Sequence, residues 1–401
     1  MKALTQNDAQ LLCGRAEVIR QIVDNCHAER LTVLTAEPGL GITSLLKAGV
    51  MHELRREGLI VAYFSDWQGR FFVGNLGEAI ADAVREDADP LFFAQGEPLN
   101  ALLQNIRART GKPVIILLDQ FEDYVRCHVN TELSDAFDAE LANAVTSRRA
   151  IFVIGLQEHA VPAFERLGIP NLLGFRIVLP PIDLEAARHA VLAEARTFDL
   201  EVEPAALEAL TTARVVAQEG SASSQNGEKR VHPFFLKVAT GILLEAEVRL
   251  KSPKVRAAPI EARGGVDRVV LEALDAGIGE LGSTQIDLLF RWCNILISPE
   301  KHRLSVTEKG LTEYAGKLNR FVPRLLELLT GSGILRPVEI SEVTRYELSR
   351  ECFAPILRDW WERREAAIVA RKRALFRITS LSVALSSILL MYVVWLIFGE
   401  K

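Results

Sequence analysis

The sequence contains no pair of cysteines spaced as CxxC, no internal repeat and no long apolar run near its start. Its five cysteines, Cys13, Cys26, Cys127, Cys293 and Cys352, are odd in number and scattered, which fits reduced thiols rather than a disulfide framework. Cys26-His27 and Cys127-His128 are adjacent pairs, and adjacency alone does not make a tetrahedral metal site. Nor is there a basic excess: 47 Lys and Arg stand against 52 Asp and Glu, a formal net charge of -5. That balance argues against the basic surface with which nucleic-acid-binding domains neutralise phosphates, and no nucleic-acid partner is expected. Residues 1–47 alternate polar and apolar side chains, so no secretory signal peptide is expected. Apolar residues at 49% and charged residues at 25% exclude wholesale disorder and collagen-like fibres. At roughly 150 residues per domain, the chain has room for two or three domains.

One segment departs from this average. Residues 378–399, ITSLSVALSSILLMYVVWLIFG, carry no charge. As a helix they would span roughly 33 Å, enough for a hydrocarbon core of about 30 Å. Tyr392 and Trp395 lie toward one end, and Arg371, Lys372, Arg373 and Arg377 flank the other. Interfacial aromatics and a positive cytoplasmic flank belong at those places. The expectation is a single C-terminal transmembrane helix contacting the lipid bilayer, with a basic juxtamembrane linker over 366–377 and the remaining chain cytoplasmic.

Upstream, apolar runs at 31–35, 59–64, 113–119, 150–156 and 175–180 alternate with helical patterns. Such alternation predicts a doubly wound parallel α/β sheet, placed at residues 1–182. Residues 183–267 turn helical, interrupted by polar stretches at 219–230 and 251–265 that read as loops. Between those stretches HPFFLKVATGILLEAEVRL reads as one helix. Residues 268–365 read as helices followed by a β hairpin over 331–349, the order of a winged helix.

The strand–turn–helix at 31–56 has the setting of a phosphate-binding P-loop, whose pattern is GxxxxGK[ST]. Its eight positions here run from Ala36 to Thr43. Gly39 and Gly41 permit close approach of backbone N–H groups to phosphate; Leu40, Ile42 and Ser44 complete the cradle, and Thr43 is placed to hold Mg²⁺. Ile42, however, stands where the pattern has lysine. Losing that charge-assisted bond, worth about 1.5–3 kcal/mol, weakens nucleotide binding roughly 10–100-fold. Lys47 is not expected to replace it, because it leaves the helix more than one turn later. A second acidic site ends the buried run VIILLDQFEDY: Asp119 as a Mg²⁺ carboxylate and Glu122 to polarise an attacking water.

Gly14-Arg15, the loop followed by SLLKAG (44–49), and DQFE (119–122) together resemble the bacterial STAND NTPases, in particular the novel STAND type 1 class. The resemblance covers about residues 10–365. It implies a P-loop NTPase fold, ATP or ADP with Mg as cofactor, a helical lid after PIDLEAARHAV (181–191) and a role in signal transduction. It would place Pro233 near an adenine, and Arg350 where a winged-helix histidine reads the bound nucleotide. An Arg-x-Asp sequence would follow the fourth strand, but this chain has Gly155-Leu156-Gln157-Glu158. With Ile42 and Arg350, three polar positions facing the nucleotide have changed together, while Thr43, Asp119 and Glu122 are kept. The expectation is therefore a membrane-anchored regulatory module with weak or no ATP hydrolysis, acting with a protein partner or by self-assembly at the inner face of a bacterial membrane. A slow Mg-ATPase and a ligand-free tethered scaffold stand as alternatives.

Overall fold

The computed structural model describes residues 12–370 apart from 68–70, 86–97, 129–131, 170–173, 212–214, 217–229, 263–268, 270–281, 299–301, 332–333, 341–342, 350–352, 355–356 and 367–368. Arg350 and the apolar segment 378–399 lie outside the described residues. Among those described, no helix is long and apolar enough to cross a membrane.

Five parallel strands form the central sheet: β1 (Leu31–Ala36), β2 (Ile60–Phe64), β3 (Val114–Leu118), β4 (Ala150–Gln157) and β5 (Arg176–Val178). They lie in the order β2-β3-β4-β1-β5. Every residue of β1 and β3 is buried, as expected of strands covered on both faces. The strand period of two divides them between two cores. Val114, Ile116 and Leu118 enter one core with helices α3 (Phe72–Arg85), α4 (Leu99–Thr110), α5 (Phe121–His128) and α6 (Glu132–Thr146). Ile115 and Leu117 enter the other with α1 (Ala16–Ala28) and α2, the continuous helix that follows β1. Helix α2 runs through Ile42–Ser44, a π-wound turn at Leu45–Val50, and Met51–Arg56.

Gly14 fixes how the chain enters this layer. Its φ is +70°, and a Cβ there would lie 2.5 Å from Ala186 Cβ in the helix Leu184–Thr197. Only glycine satisfies both constraints. Asp183 caps that helix, its Oδ1 accepting from the Ala186 N–H at 2.7 Å. The helix Pro233–Arg249 is continuous, as the sequence reads. Within 251–262 short elements stand where a loop is expected: Lys254–Val255 pairs with Glu201–Val202, and Ala258–Ala262 is helical, while 263–265 lie outside the described residues. Buried Val255 and Ile260 are the apolar anchors that a polar composition conceals.

Two compact units are present. The first reaches Leu281 and includes Arg336–Tyr346; the second holds Gly282–Leu335 and the chain from Glu347. The second unit holds helices Ser283–Leu296, Glu308–Ala315 and Val322–Gly331; Trp292, buried on the first, donates its indole N–H to the Leu311 carbonyl at 3.2 Å. Glu347 is fully buried there, 3.6 Å from Arg303 and accepting from the Ser305 hydroxyl at 3.0 Å. Strands Leu335–Ile340 and Val343–Leu348 are adjacent. Burial pushes the Cys26 and Cys293 thiols up to about 12, so both remain protonated packing groups.

Candidate nucleotide site

At the C-terminal edge of the sheet, the ends of β1, β3 and β4 converge, the usual place for a ligand in an open α/β sheet. The loop from β1 to α2 carries Gly39 at φ 87° and Gly41 at φ 97°. Nothing lies within 4 Å of a Cβ built on Gly41, so its backbone angle, not space, demands glycine.

Loop carbonyls are tied down from behind. Arg15 is 5% exposed; its Nη2 donates to the Leu40 carbonyl at 2.9 Å and its Nη1 to the Pro180 carbonyl at 2.6 Å. Desolvation, with the nearby charge of Arg230, lowers the Arg15 pKa to about 10, and Asp183 opposes the shift. Arg15 is thus still a cation at neutral pH. His232 Nε2 lies 3.1 Å from the Pro38 carbonyl, an acceptor, so that nitrogen carries the proton. Meanwhile the start of α2 at Ile42 has no side-chain cap. Its first N–H groups, with the positive end of the helix dipole, form the kind of cradle that takes a phosphate.

Asp119 is 1% exposed and is bonded by its neighbours. Its Oδ2 accepts from the Tyr63 hydroxyl at 2.6 Å and its Oδ1 from the Gln120 N–H at 2.9 Å. The Thr43 hydroxyl also bonds to it. The Trp67 indole donates to its main-chain carbonyl at 2.7 Å. Burial raises the Asp119 pKa, while bonds from Tyr63, Thr43 and Gln120 and the charge of Lys47 pull it back. Burial and the same carboxylate raise the Tyr63 hydroxyl, which stays protonated as a donor. Glu122, 8% exposed, accepts the Gln157 N–H at 3.2 Å and so bridges the ends of β3 and β4. The side-chain Oε1 of Gln157 is buried and accepts no hydrogen bond within the described structure. A buried acceptor in this position calls for a donor from water or a ligand.

The position of the missing lysine is explicit. Ile42 packs across β4: a Cβ on Gly155 would lie 2.7 Å from Ile42 Cγ2 and 3.4 Å from Asp119 Oδ1. Its side chain joins the core beneath the loop and brings no charge to it. Lys47 lies beside Tyr63. A regular α-helix sets residues five apart about 140° apart around its axis. Here the turn Leu45–Val50 is π-wound, with Met51 N–H bonded to the Leu46 carbonyl, and the extra residue per cycle redirects the side chains. The Lys47 ammonium lies 4.3 Å from the centre of the Tyr63 ring, and its charge acts on Asp119. Lys47 therefore lies next to the Tyr63–Asp119 pair.

The sequence-predicted residues Gly39, Leu40, Gly41, Ile42, Thr43 and Ser44 share one loop and helix start, and Thr43 meets Asp119. Pro233 opens its helix one residue after His232, which contacts the loop. Tyr63, Trp67 and His232 were not foreseen. Tyr63 had a signal, a polar tip near the end of an apolar strand; His232 had only its place before Pro233.

The pattern of the novel STAND NTPase 1 family matches residues 1–373, and the chain belongs to that family. Its α/β unit is a P-loop NTPase-like domain of nucleotide-binding type. No curated protein sequence matches the chain. Among solved structures, a Walker-type ATPase of Pyrococcus abyssi is similar at 16% identity and TM-score 0.48, over 89% of this chain and 98% of that one. Cdc6p of Pyrobaculum aerophilum is similar at 15% and 0.46, over 90% and 100%. The ORC1 protein of Aeropyrum pernix, solved in complex with DNA, is similar at 16% and 0.46, over 86% and 91%. At these TM-scores the likenesses carry no functional assignment.

Arg15→Leu should orphan the Leu40 and Pro180 carbonyls while keeping an apolar side chain in place. We expect a loss of about 2–4 kcal/mol in urea denaturation, and an unchanged midpoint would remove the clamp from this description.

Proposed function

We propose that this chain is a membrane-anchored STAND-type regulatory module that binds ATP or ADP at the loop 36–44 and hydrolyses it slowly or not at all. One observation carries the reading: Gly39, Gly41, Arg15 and His232 build and brace a phosphate cradle, while Ile42 is packed against β4 where a lysine would meet phosphate. The N–H groups of the first helical turn would hold the phosphates, and Pro233 would lie toward the base. Thr43 and Asp119 are the residues that would hold Mg²⁺, which when bound offsets phosphate charge. Among the described residues, no group of three or more His, Cys, Asp or Glu could hold a metal, so its other ligands would be phosphate and water oxygens. The fit to Mg²⁺ is partial, since three donors already occupy a carboxylate with about four lone-pair positions. Glu122, engaged by the Gln157 N–H, is poorly free to polarise water, which supports slow turnover.

In this reading the helices after the sheet act as a lid, and the second unit is a winged helix used for packing. Arg350 would read the nucleotide state. Residues 378–399 hold the protein at the inner face of a bacterial membrane, where it acts with a protein partner or another copy.

Full-length protein in detergent, titrated with fluorescent ATP and ADP, should bind both, and Ile42→Lys should tighten binding about 10–100-fold. Turnover at about 1 s⁻¹ or faster, abolished by Glu122→Gln, would contradict the weak-hydrolysis reading. Separately, deleting 376–401 should move the protein from the membrane pellet to the supernatant with its cooperative melting intact. Retention in the pellet, or loss of cooperative melting, would contradict the anchor.

A further inference from the structure

The strand run before Asp119 is wholly apolar, yet it delivers a buried carboxylate to the site. A buried anion is tolerated only with hydrogen-bond donors and a counter-charge nearby. Its donors are Tyr63, Gln120 and Thr43, and the cation acting on it is Lys47. Lys47, Tyr63, Asp119 and Thr43 form a chain. The ammonium sits 4.3 Å from the centre of the Tyr63 ring, where the ring's quadrupole attracts it. The hydroxyl of that ring donates to Asp119 Oδ2 at 2.6 Å, and the Thr43 hydroxyl reaches the same carboxylate from the first turn of α2. Lys47 and Thr43 belong to one helix, so the cation is tethered to the element that begins the phosphate cradle.

We propose that Lys47, parked on Tyr63 beside Asp119, supplies the positive charge that a P-loop lysine and a divalent cation would otherwise bring, so that this site takes metal-free nucleoside di- or triphosphate. The inference rests on the nucleotide-binding reading above and adds the ligand's form. Tyr63 is the positioning residue: it holds the ammonium on its ring and satisfies the carboxylate oxygen that a metal-bound water would need. Ile42 fits the same arrangement, because a second cation between the loop and Gly155 would compete for the carboxylate that Lys47 serves.

The test is the affinity of the full-length protein for fluorescent ADP in EDTA and in excess Mg²⁺. Wild type should bind with less than about a twofold difference between the two conditions. Lys47→Met should lose about 10–100-fold in EDTA and recover part of it with Mg²⁺, while Lys47→Arg should keep metal-free binding. Tyr63→Phe, which keeps the ring and frees Oδ2, should keep metal-free binding and add a gain in affinity with Mg²⁺. A wild-type affinity that falls tenfold or more in EDTA overturns the proposal without any variant. So does a cooperatively folded Lys47→Met protein that binds metal-free ADP like wild type. Absence of wild-type binding under both conditions would defeat the nucleotide-binding reading itself and this inference with it, an outcome distinct from Mg²⁺-dependent binding.

Discussion

Burying the Asp119 carboxylate is the constraint on which the rest of the site depends. At 1% exposure it cannot rely on water, and an uncompensated buried ion costs several kcal/mol. Charge-assisted hydrogen bonds return about 1.5–3 kcal/mol each, so several must converge. They come from separate elements: Tyr63 from β2, the Gln120 amide from the turn after β3, and Thr43 from the start of α2. Gln120 adopts a φ of 54° beside that bond. Trp67 takes the Asp119 main-chain carbonyl and sits among Phe64, Phe72, Phe121 and Tyr124. The need to satisfy one anion thus ties the ends of β2 and β3 and the phosphate loop into a single arrangement.

Two other tethers set the loop's orientation. Arg15 and His232 hold the Leu40 and Pro38 carbonyls by hydrogen bonds. Carbonyls held on one side leave the amides of the first helical turn as the groups available to an anion on the other. This backbone contribution does not depend on a lysine side chain. A chain can therefore lose the lysine, pack Ile42 against β4 and still keep a phosphate cradle. The chemistry most exposed to that loss is the transition state of phosphoryl transfer, where charge develops and a missing electrostatic donor typically costs 10²–10³ in rate. Binding tolerates such a change better than hydrolysis does.

Much of this was legible in the sequence because its causes are local. Continuous apolar runs such as VIILL mark strands covered on both faces, and all five strand runs form the parallel sheet. The glycine-bearing turn, Thr43 and the acidic end of β3 were visible by spacing. What was not legible depends on contacts far apart in the chain. Tyr63 and Asp119 are 56 residues apart, and His232 and Pro38 are 194 apart. Lys47 depends on a local irregularity: the π-wound turn at Leu45–Val50 has no signal in the sequence, and from it the ammonium meets the Tyr63 ring. Apolar anchors in polar surroundings, Val255 and Ile260, hid the short elements at 254–255 and 258–262.

The central claim is that the loop amides of α2's first turn receive a phosphate although Ile42 has replaced the lysine. Hydrogen–deuterium exchange of the full-length protein with and without saturating ADP reads those amides directly. The account predicts slower exchange in peptides covering residues 39–44 and 119–122, with helix α6 unchanged. Unaltered exchange at 39–44 under conditions where ADP is bound would place the nucleotide elsewhere and contradict the account.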